Sequence, residues 1–247
     1  MTLENFFREN NKLALGFSGG VDSSYLLYAG LSHGADIQPY FIKTAFQPRF
    51  ELCDALKLTQ QLGVRLAVID FDILSVPAVS KNCTERCYHC KSALFGALRR
   101  RAAADGYSVL IDGTNASDDA TDRPGMRALC ELSVHSPLRE AGLEKDRIRR
   151  LSKEAGLFTW DKPAYACLAT RIACGTAYTA DLLCRVEGAE EVLFSLGFSD
   201  FRVRVFHGAA RLQLPAEQTQ TAVALAEEIK NGIKPFFSEI LLDLDGR

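Results

Sequence analysis

The chain has 247 residues, 47% of them hydrophobic and 24% charged, with 29 basic against 31 acidic side chains and a formal net charge of −2. That balance gives no electrostatic case for a nucleic-acid partner, and no apolar run approaches the ~20 residues that cross a bilayer. The N-terminal residues lack the pattern of a signal peptide, so a cytoplasmic location is expected. In that reducing setting the eight cysteines read as thiols, catalytic groups or metal ligands before disulfides.

Short β-rich runs at 12–17, 37–43, 64–71 and 108–111 alternate with helical spacing at 23–32, 49–62, 91–104 and 144–155. The alternation predicts an α/β domain over 1–160, a parallel sheet covered by helices, with ligands at the carboxyl ends of the strands. After Trp160 the texture changes. The segment 161–184, with Pro163, Gly175 and several cysteines, reads as a linker, and 185–247 as a small α+β domain. Its expected elements are a helix at 180–196, strands at 200–206 and 210–214, a helix at 217–231 and a strand at 239–243. Cys53 and Cys130 lie in helix-like, half-apolar surroundings and are expected in the core.

The apolar strand ending at Phe17 runs into Ser18-Gly19-Gly20-Val21-Asp22-Ser23-Ser24. Two glycines let the backbone turn tightly and bring its N–H groups to phosphate oxygens, at the positive end of the next helix. Ser18, Ser23 and Ser24 would add hydroxyl donors, and Asp22 could help hold a magnesium ion. A Walker A loop would need a lysine after the glycines and a dinucleotide fingerprint a third glycine; neither is present. The plain alternative is a Gly-Gly turn with a serine cap. Further on, Asp112-Gly113-Thr114-Asn115 closes a strand where it can reach a nucleotide, with Gly113 permitting close approach and Asp119 able to support magnesium or orient the reacting group; the alternative is an Asx-type turn. Backbone groups near Ile42 to Thr44 are candidates for gripping adenine.

The SGGVDSS string resembles the PP-loop ATP pyrophosphatases, which split ATP between its α and β phosphates and adenylate an oxygen. Three more strings narrow the resemblance: Glu85-Arg86-Cys87-Tyr88-His89-Cys90-Lys91, the Asp112 to Asp119 run, and Lys162-Pro163-Ala164-Tyr165-Ala166-Cys167-Leu168-Ala169-Thr170-Arg171. In this order they resemble the LarE family of sulfur transferases of nickel-pincer cofactor maturation, over nearly the whole chain. The resemblance implies ATP and Mg2+, a pyridinium-3,5-biscarboxylate mononucleotide as substrate, a homo-oligomer, and other maturation proteins as partners. It implies Cys167 as the sulfur-bearing nucleophile, and Tyr88, Lys91 and Thr170 as substrate or phosphate contacts. From the residues themselves, Arg171 could lower the pKa of a nearby thiol or hold a phosphate bidentately. Arg202 and Arg204, two apart in a strand with Val203 and Val205 between them, share one face and suggest an anion site, or else a solvated strand face.

Two cysteine groups stand out. Cys83, Cys87 and Cys90 have the C-x3-C-x2-C spacing of some iron–sulfur sites, but mid-chain in a PP-loop context; no role is assigned to Cys83. Cys167, Cys174 and Cys184 are three thiols, the number that holds a [4Fe-4S] cluster with one iron open, as some sulfur transferases do. Cluster-dependent sulfur delivery is therefore expected, with sacrificial donation from Cys167 alone, or a tRNA-thiolating activity, as alternatives.

Overall fold

The computed structural model describes residues 2–118 and 124–246. By internal contacts the chain divides into two units: Met1–Val79 with Glu85–Lys162, and Ser80–Thr84 with Pro163–Arg247. The segment expected as a linker is thus part of the second unit from Pro163 onward, and that unit also takes five residues from far upstream.

In the first unit, α1 (Leu3–Glu9) precedes β1 (Lys12–Gly16), α2 (Val21–Ser32), β2 (Asp36–Lys43), α3 (Arg49–Gln61) and β3 (Ala67–Asp70). A short α4 (Pro77–Ser80) is followed by α5 (Arg86–Ala104), β4 (Val109–Asp112), α6 (Pro124–Glu131), the single turn α7 (Pro137–Glu140) and α8 (Lys145–Glu154). The sheet is parallel throughout, in the order β3-β2-β1-β4. Central β1 buries both faces, as expected where helices cover a parallel sheet on both sides. Leu13 and Leu15 join Phe6, Leu26, Leu27 and Ile37 on one side, whereas Ala14 joins Tyr40, Leu98 and Leu110 on the other. The register sets Tyr40, Gly16 and Asp112 side by side at the carboxyl end. Tyr40 is fully buried, and its hydroxyl donates to Asp105 at 2.9 Å. Burial, then that bond, raises its phenol far above the ordinary range.

Cys53 and Cys130 are both exposed, contrary to expectation. Helical spacing gives the inward positions to Ala55 and Leu58 on α3 and to Ala128 and Leu129 on α6, leaving each thiol on the outer side.

The second unit holds α9 (Ala180–Ser195), β5 (Arg202–Phe206), β6 (Ala209–Gln213), α10 (Thr219–Ala224), α11 (Ala226–Ile233) and β7 (Ile240–Leu242). β5 and β6 form an antiparallel hairpin, and β7 pairs parallel with β6. The hairpin turns at His207 (φ 49°) and Gly208 (φ 87°), the pair of positive φ angles whose twist suits a two-residue loop. The single helix expected at 217–231 is broken: Leu225, at φ −99° and ψ 23°, separates α10 from α11.

Asn82 fastens the upstream segment to this unit. It is 2% exposed with φ 52°, and its side-chain amide donates to the carbonyls of Ala173 (2.8 Å) and Thr176 (3.0 Å) while accepting from the Tyr178 hydroxyl. Asn82→Ala removes these partners and is less tolerant of the left-handed backbone, so urea unfolding followed on the second unit should show a loss of about 2–4 kcal/mol.

Candidate functional site

The turn from β1 into α2 is built around unmet hydrogen-bonding capacity. Gly20 is the N-cap of α2, in extended geometry, and supplies no side-chain acceptor to the first N–H groups of the helix. Gly19, at φ 70°, makes the turn itself. The loop hydroxyls bond among themselves: Gly20 N–H donates to Ser18 Oγ (3.3 Å), and Ser23 Oγ donates to the Gly20 carbonyl (3.2 Å). Across from them Gly113 comes so close that an added Cβ would stand 2.9 Å from Ser23 N. Only glycine lets the end of β4 approach the start of α2 in this way.

Above this turn lies a cavity of about 350 Å3, within the range that takes a nucleotide. Ser18, Asp22, Ser23, Gly113 and Thr114 form one wall, and Tyr40, Phe41, Ile42 and Phe95 give an apolar wall suited to a base. Asp22 offers it an acceptor. Lys145 Nζ bonds Oδ2 at 2.5 Å, whereas Oδ1 is buried with no partner. Such an oxygen fits a magnesium ion that otherwise keeps water and phosphate ligands. Asp112 does not, because its carboxylate already accepts from Thr114 N, Thr114 Oγ1 and Ser136 Oγ. Asp119, the other expected magnesium residue, lies outside the described residues.

Several expected contacts fall elsewhere. Ser24 is fully buried, its hydroxyl without a partner, and does not line the cavity. Thr44 Oγ1 closes a turn, donating to Gln47 Oε1 (2.6 Å) and accepting from Phe46 N (3.0 Å); it is Gln47 that lines the cavity. Lys91 reaches the cavity, but Tyr88 does not: its hydroxyl donates to Glu131 at 2.6 Å, and the Arg127 guanidinium sits 4.1 Å from its ring. Two lysines had gone unassigned. Lys145 meets Asp22 from 123 residues away, and Lys162 pairs with Asp54 (2.6 Å) and approaches the Gly19 carbonyl (3.4 Å). No local pattern marks either contact, since both arise from chain return.

In the second unit, half-buried Cys167 caps a 3-10 turn, Leu168–Arg171. Its carbonyl accepts from Thr170 N (3.0 Å) and Thr170 Oγ1 (2.9 Å). Arg171 is 1% exposed: Nε and Nη2 grip the two oxygens of Glu190 at 2.8 and 3.1 Å, while Nη1 donates to Ala166 O and Thr170 Oγ1. Glu190 also accepts from the Tyr165 hydroxyl and from Val203 N (2.9 Å). The fork expected to hold a phosphate is therefore closed on a buried carboxylate, and Arg171 instead fixes the loop on either side of Cys167.

Arg202 and Arg204 do share one side of β5. Arg202 donates to the carbonyls of Phe201 and Ala164, and Arg204 to Thr170 O and Gln213 Oε1. Among the described residues Glu190 pairs with Arg171 and Asp243 with Arg211, and no carboxylate bonds Arg202 or Arg204. Burial, then the charge of Arg171, lowers both guanidiniums from their ordinary range. Arg204 also faces Arg211 directly across the hairpin, a like-charge pair that costs stability. Among the described residues Arg202 and Arg204 thus meet carbonyls and an amide oxygen where an anionic ligand would add charge complementarity.

The three thiols expected to hold a cluster are not brought together. Among the described residues no group of three or more His, Cys, Asp or Glu is placed to hold a metal. Cys174 Sγ donates to the Asn82 carbonyl (3.3 Å), and Cys184 is exposed on α9. Cys174 lies in a loop fastened by Asn82 and Cys184 on a regular helix, and among the described residues they do not group with Cys167 as three ligands of a [4Fe-4S] cluster. The C-x3-C-x2-C motif is likewise divided, with Cys83 in one unit and Cys87 and Cys90 in the other.

No protein-family model matches the chain. Among curated proteins it is 36% identical over 250 residues to an uncharacterised protein of Synechocystis, covering 99% of this chain and 92% of the relative. It is 29% identical over 248 residues, 99% of this chain and 90% of the relative, to the pyridinium-3,5-bisthiocarboxylic acid mononucleotide synthase of Lactiplantibacillus plantarum. The chain belongs to the LarE family. Its PP-loop ancestry shows in a tRNA-specific 2-thiouridylase of Thermotoga maritima, 24% identical over 175 residues, 60% of this chain and 49% of the relative. Among the described residues of this LarE-family chain no helix is long and apolar enough to cross a membrane.

Two outcomes test the geometry. Gly113→Ala pushes a methyl against the Ser23 backbone and should weaken ATP binding at least about tenfold by calorimetry, with the second unit's unfolding unchanged. Glu190→Ala strands the Arg171 charge in the interior and should cost about 3–5 kcal/mol in denaturant unfolding.

Proposed function

We propose that the chain is an ATP-dependent sulfur transferase acting on pyridinium-3,5-biscarboxylate mononucleotide. One observation carries this reading: a chain aligned over 99% of its length with a pyridinium-3,5-bisthiocarboxylic acid mononucleotide synthase has an uncapped phosphate loop opening on a cavity of nucleotide size.

In the first step a substrate carboxylate oxygen attacks the α-phosphorus of ATP, the α–β bond breaks and pyrophosphate leaves. The N-terminus of α2 and the Gly19 N–H stabilise the phosphate charge that develops. A magnesium ion held by Asp22 Oδ1 and phosphate oxygens would neutralise more of it, and Lys145, now on Asp22 Oδ2, lies where it can turn to phosphate. In the second step Cys167 Sγ, as thiolate, attacks the acyl carbon and AMP departs, leaving a thioester. Loss of the Cys167 Cα proton then breaks the Cβ–S bond, giving a thiocarboxylate and a dehydroalanine. Arg202 and Arg204 supply the cationic surroundings that favour a thiolate and an anionic mononucleotide. Cys167 acting alone is the form of sulfur donation these residues fit.

The test combines pyrophosphate release with mass spectrometry, using ATP and the pyridinium dicarboxylate mononucleotide. Wild type should release pyrophosphate and lose the elements of hydrogen sulfide at Cys167 after one turnover. Cys167→Ala should still form the adenylate but no thiocarboxylate. Turnover only with tRNA would overturn the substrate. Anaerobically purified protein carrying stoichiometric iron and sulfide, dependent on Cys174 and Cys184, would overturn the solitary role of Cys167.

A further inference from the structure

Cys83 and Cys174 stand 91 positions apart in sequence, and Asn82 brings them together. The Asn82 carbonyl oxygen accepts from two neighbours at once, Gly175 N at 2.8 Å and Cys174 Sγ at 3.3 Å. The residue that follows Asn82 is Cys83. In a planar trans peptide the Cα of the following residue lies on the same side as the carbonyl oxygen, ~2.8 Å from it. The Cα of Cys83 is therefore within ~6 Å of Cys174 Sγ, close enough that side-chain rotation with a small backbone shift brings the sulfurs into bonding contact. Both thiols are exposed, and both belong to the second unit, which takes 80–84 as an insertion. The bonds from Asn82 to Ala173, Thr176 and Tyr178 fix the two segments on either side of the pair, so little motion is needed to join the sulfurs.

We propose that Cys83 and Cys174 form a redox-active dithiol that closes to an intramolecular disulfide by exchange with a low-molecular-weight disulfide. One cysteine, deprotonated, attacks a sulfur of that disulfide and releases a first small thiolate. The second cysteine, deprotonated in turn, attacks the mixed disulfide at the protein sulfur and releases the other. The two cysteines give up two electrons and two protons, and two small thiols form. The bond would tie 80–84 covalently to the loop after the Cys167 turn. Neither thiol takes part in the sulfur transfer proposed above, so the dithiol stands or falls independently of it.

The test uses the full-length protein, reduced, freed of reductant and titrated with oxidised glutathione, followed by peptide mass spectrometry without reduction. A peptide joining Cys83 to Cys174, two hydrogens lighter than its reduced parts, should appear at the lowest oxidant level. Cys83→Ser and Cys174→Ser should each abolish it and leave a glutathione adduct on the remaining thiol. Oxidised wild type should melt on the order of 5 °C above reduced protein, and neither single variant should show that shift. Wild type that yields only glutathione adducts, or that joins Cys174 to Cys167 or Cys184 instead, overturns the proposal.

Discussion

The first turn of α2 has backbone N–H groups that no side chain caps, and the first unit is arranged around leaving them so. An ordinary helix start would satisfy one of them with a serine or aspartate at the N-cap. Here Gly20 takes that position, and Ser18 and Ser23 bond to the loop itself. The remaining donors and the helix dipole point to one place, at the carboxyl end of central β1. Glycines keep the backbone around that point open. Gly113 lets β4 close in, and Gly16 leaves room for the Phe95 ring, 3.0 Å from where a Cβ would stand.

The second unit shows the opposite economy: its functional loop is held by complete satisfaction. Glu190 accepts from Arg171, Tyr165 and Val203, so the residues before and after Cys167 are anchored to one buried carboxylate. A buried ion pair gains little net stability over apolar packing, but removing one partner is costly, which makes it suited to fixing a geometry. Beyond that pair the charge is unbalanced. Among the described residues Asp243 pairs with Arg211 and no carboxylate bonds Arg202 or Arg204, and Arg204 and Arg211 stand as like charges across the hairpin. Stability given up in this way is characteristic of sites that await an anion.

Much of this could be read from the chain. The alternation of apolar strands with helical spacing located all four parallel strands to within a few residues, because periodicity is a local property. The glycines and Asp22 were legible for the same reason, since tight turns demand particular residues at fixed offsets. What was not legible depended on chain return. Thr44 and Ser24 have the right chemistry in the right stretch, yet a turn claims one hydroxyl and the core encloses the other. Arg171 looked available for phosphate because Glu190, nineteen residues on, gives no sign in sequence that it will turn inward. Cys53 and Cys130 failed for a different reason: their surroundings are half-apolar, and one step around a helix decides which half they join.

The thiols carry this argument furthest. Three cysteines close in sequence suggested a shared metal, but number and spacing do not set a ligand group; the backbone that carries each thiol does. Cys167 lies at a turn held by the Arg171–Glu190 pair, and Glu190 sits on the same helix as Cys184, while Tyr178 links the turn to Asn82. Cys184 follows the helix periodicity of α9 outward. Cys174 is held by Asn82, and its near neighbour is the thiol that sequence left without a role. A left-handed asparagine at the centre of residues 80–84 thus determines which sulfurs can meet, and it does so through hydrogen bonds that no cysteine pattern would reveal.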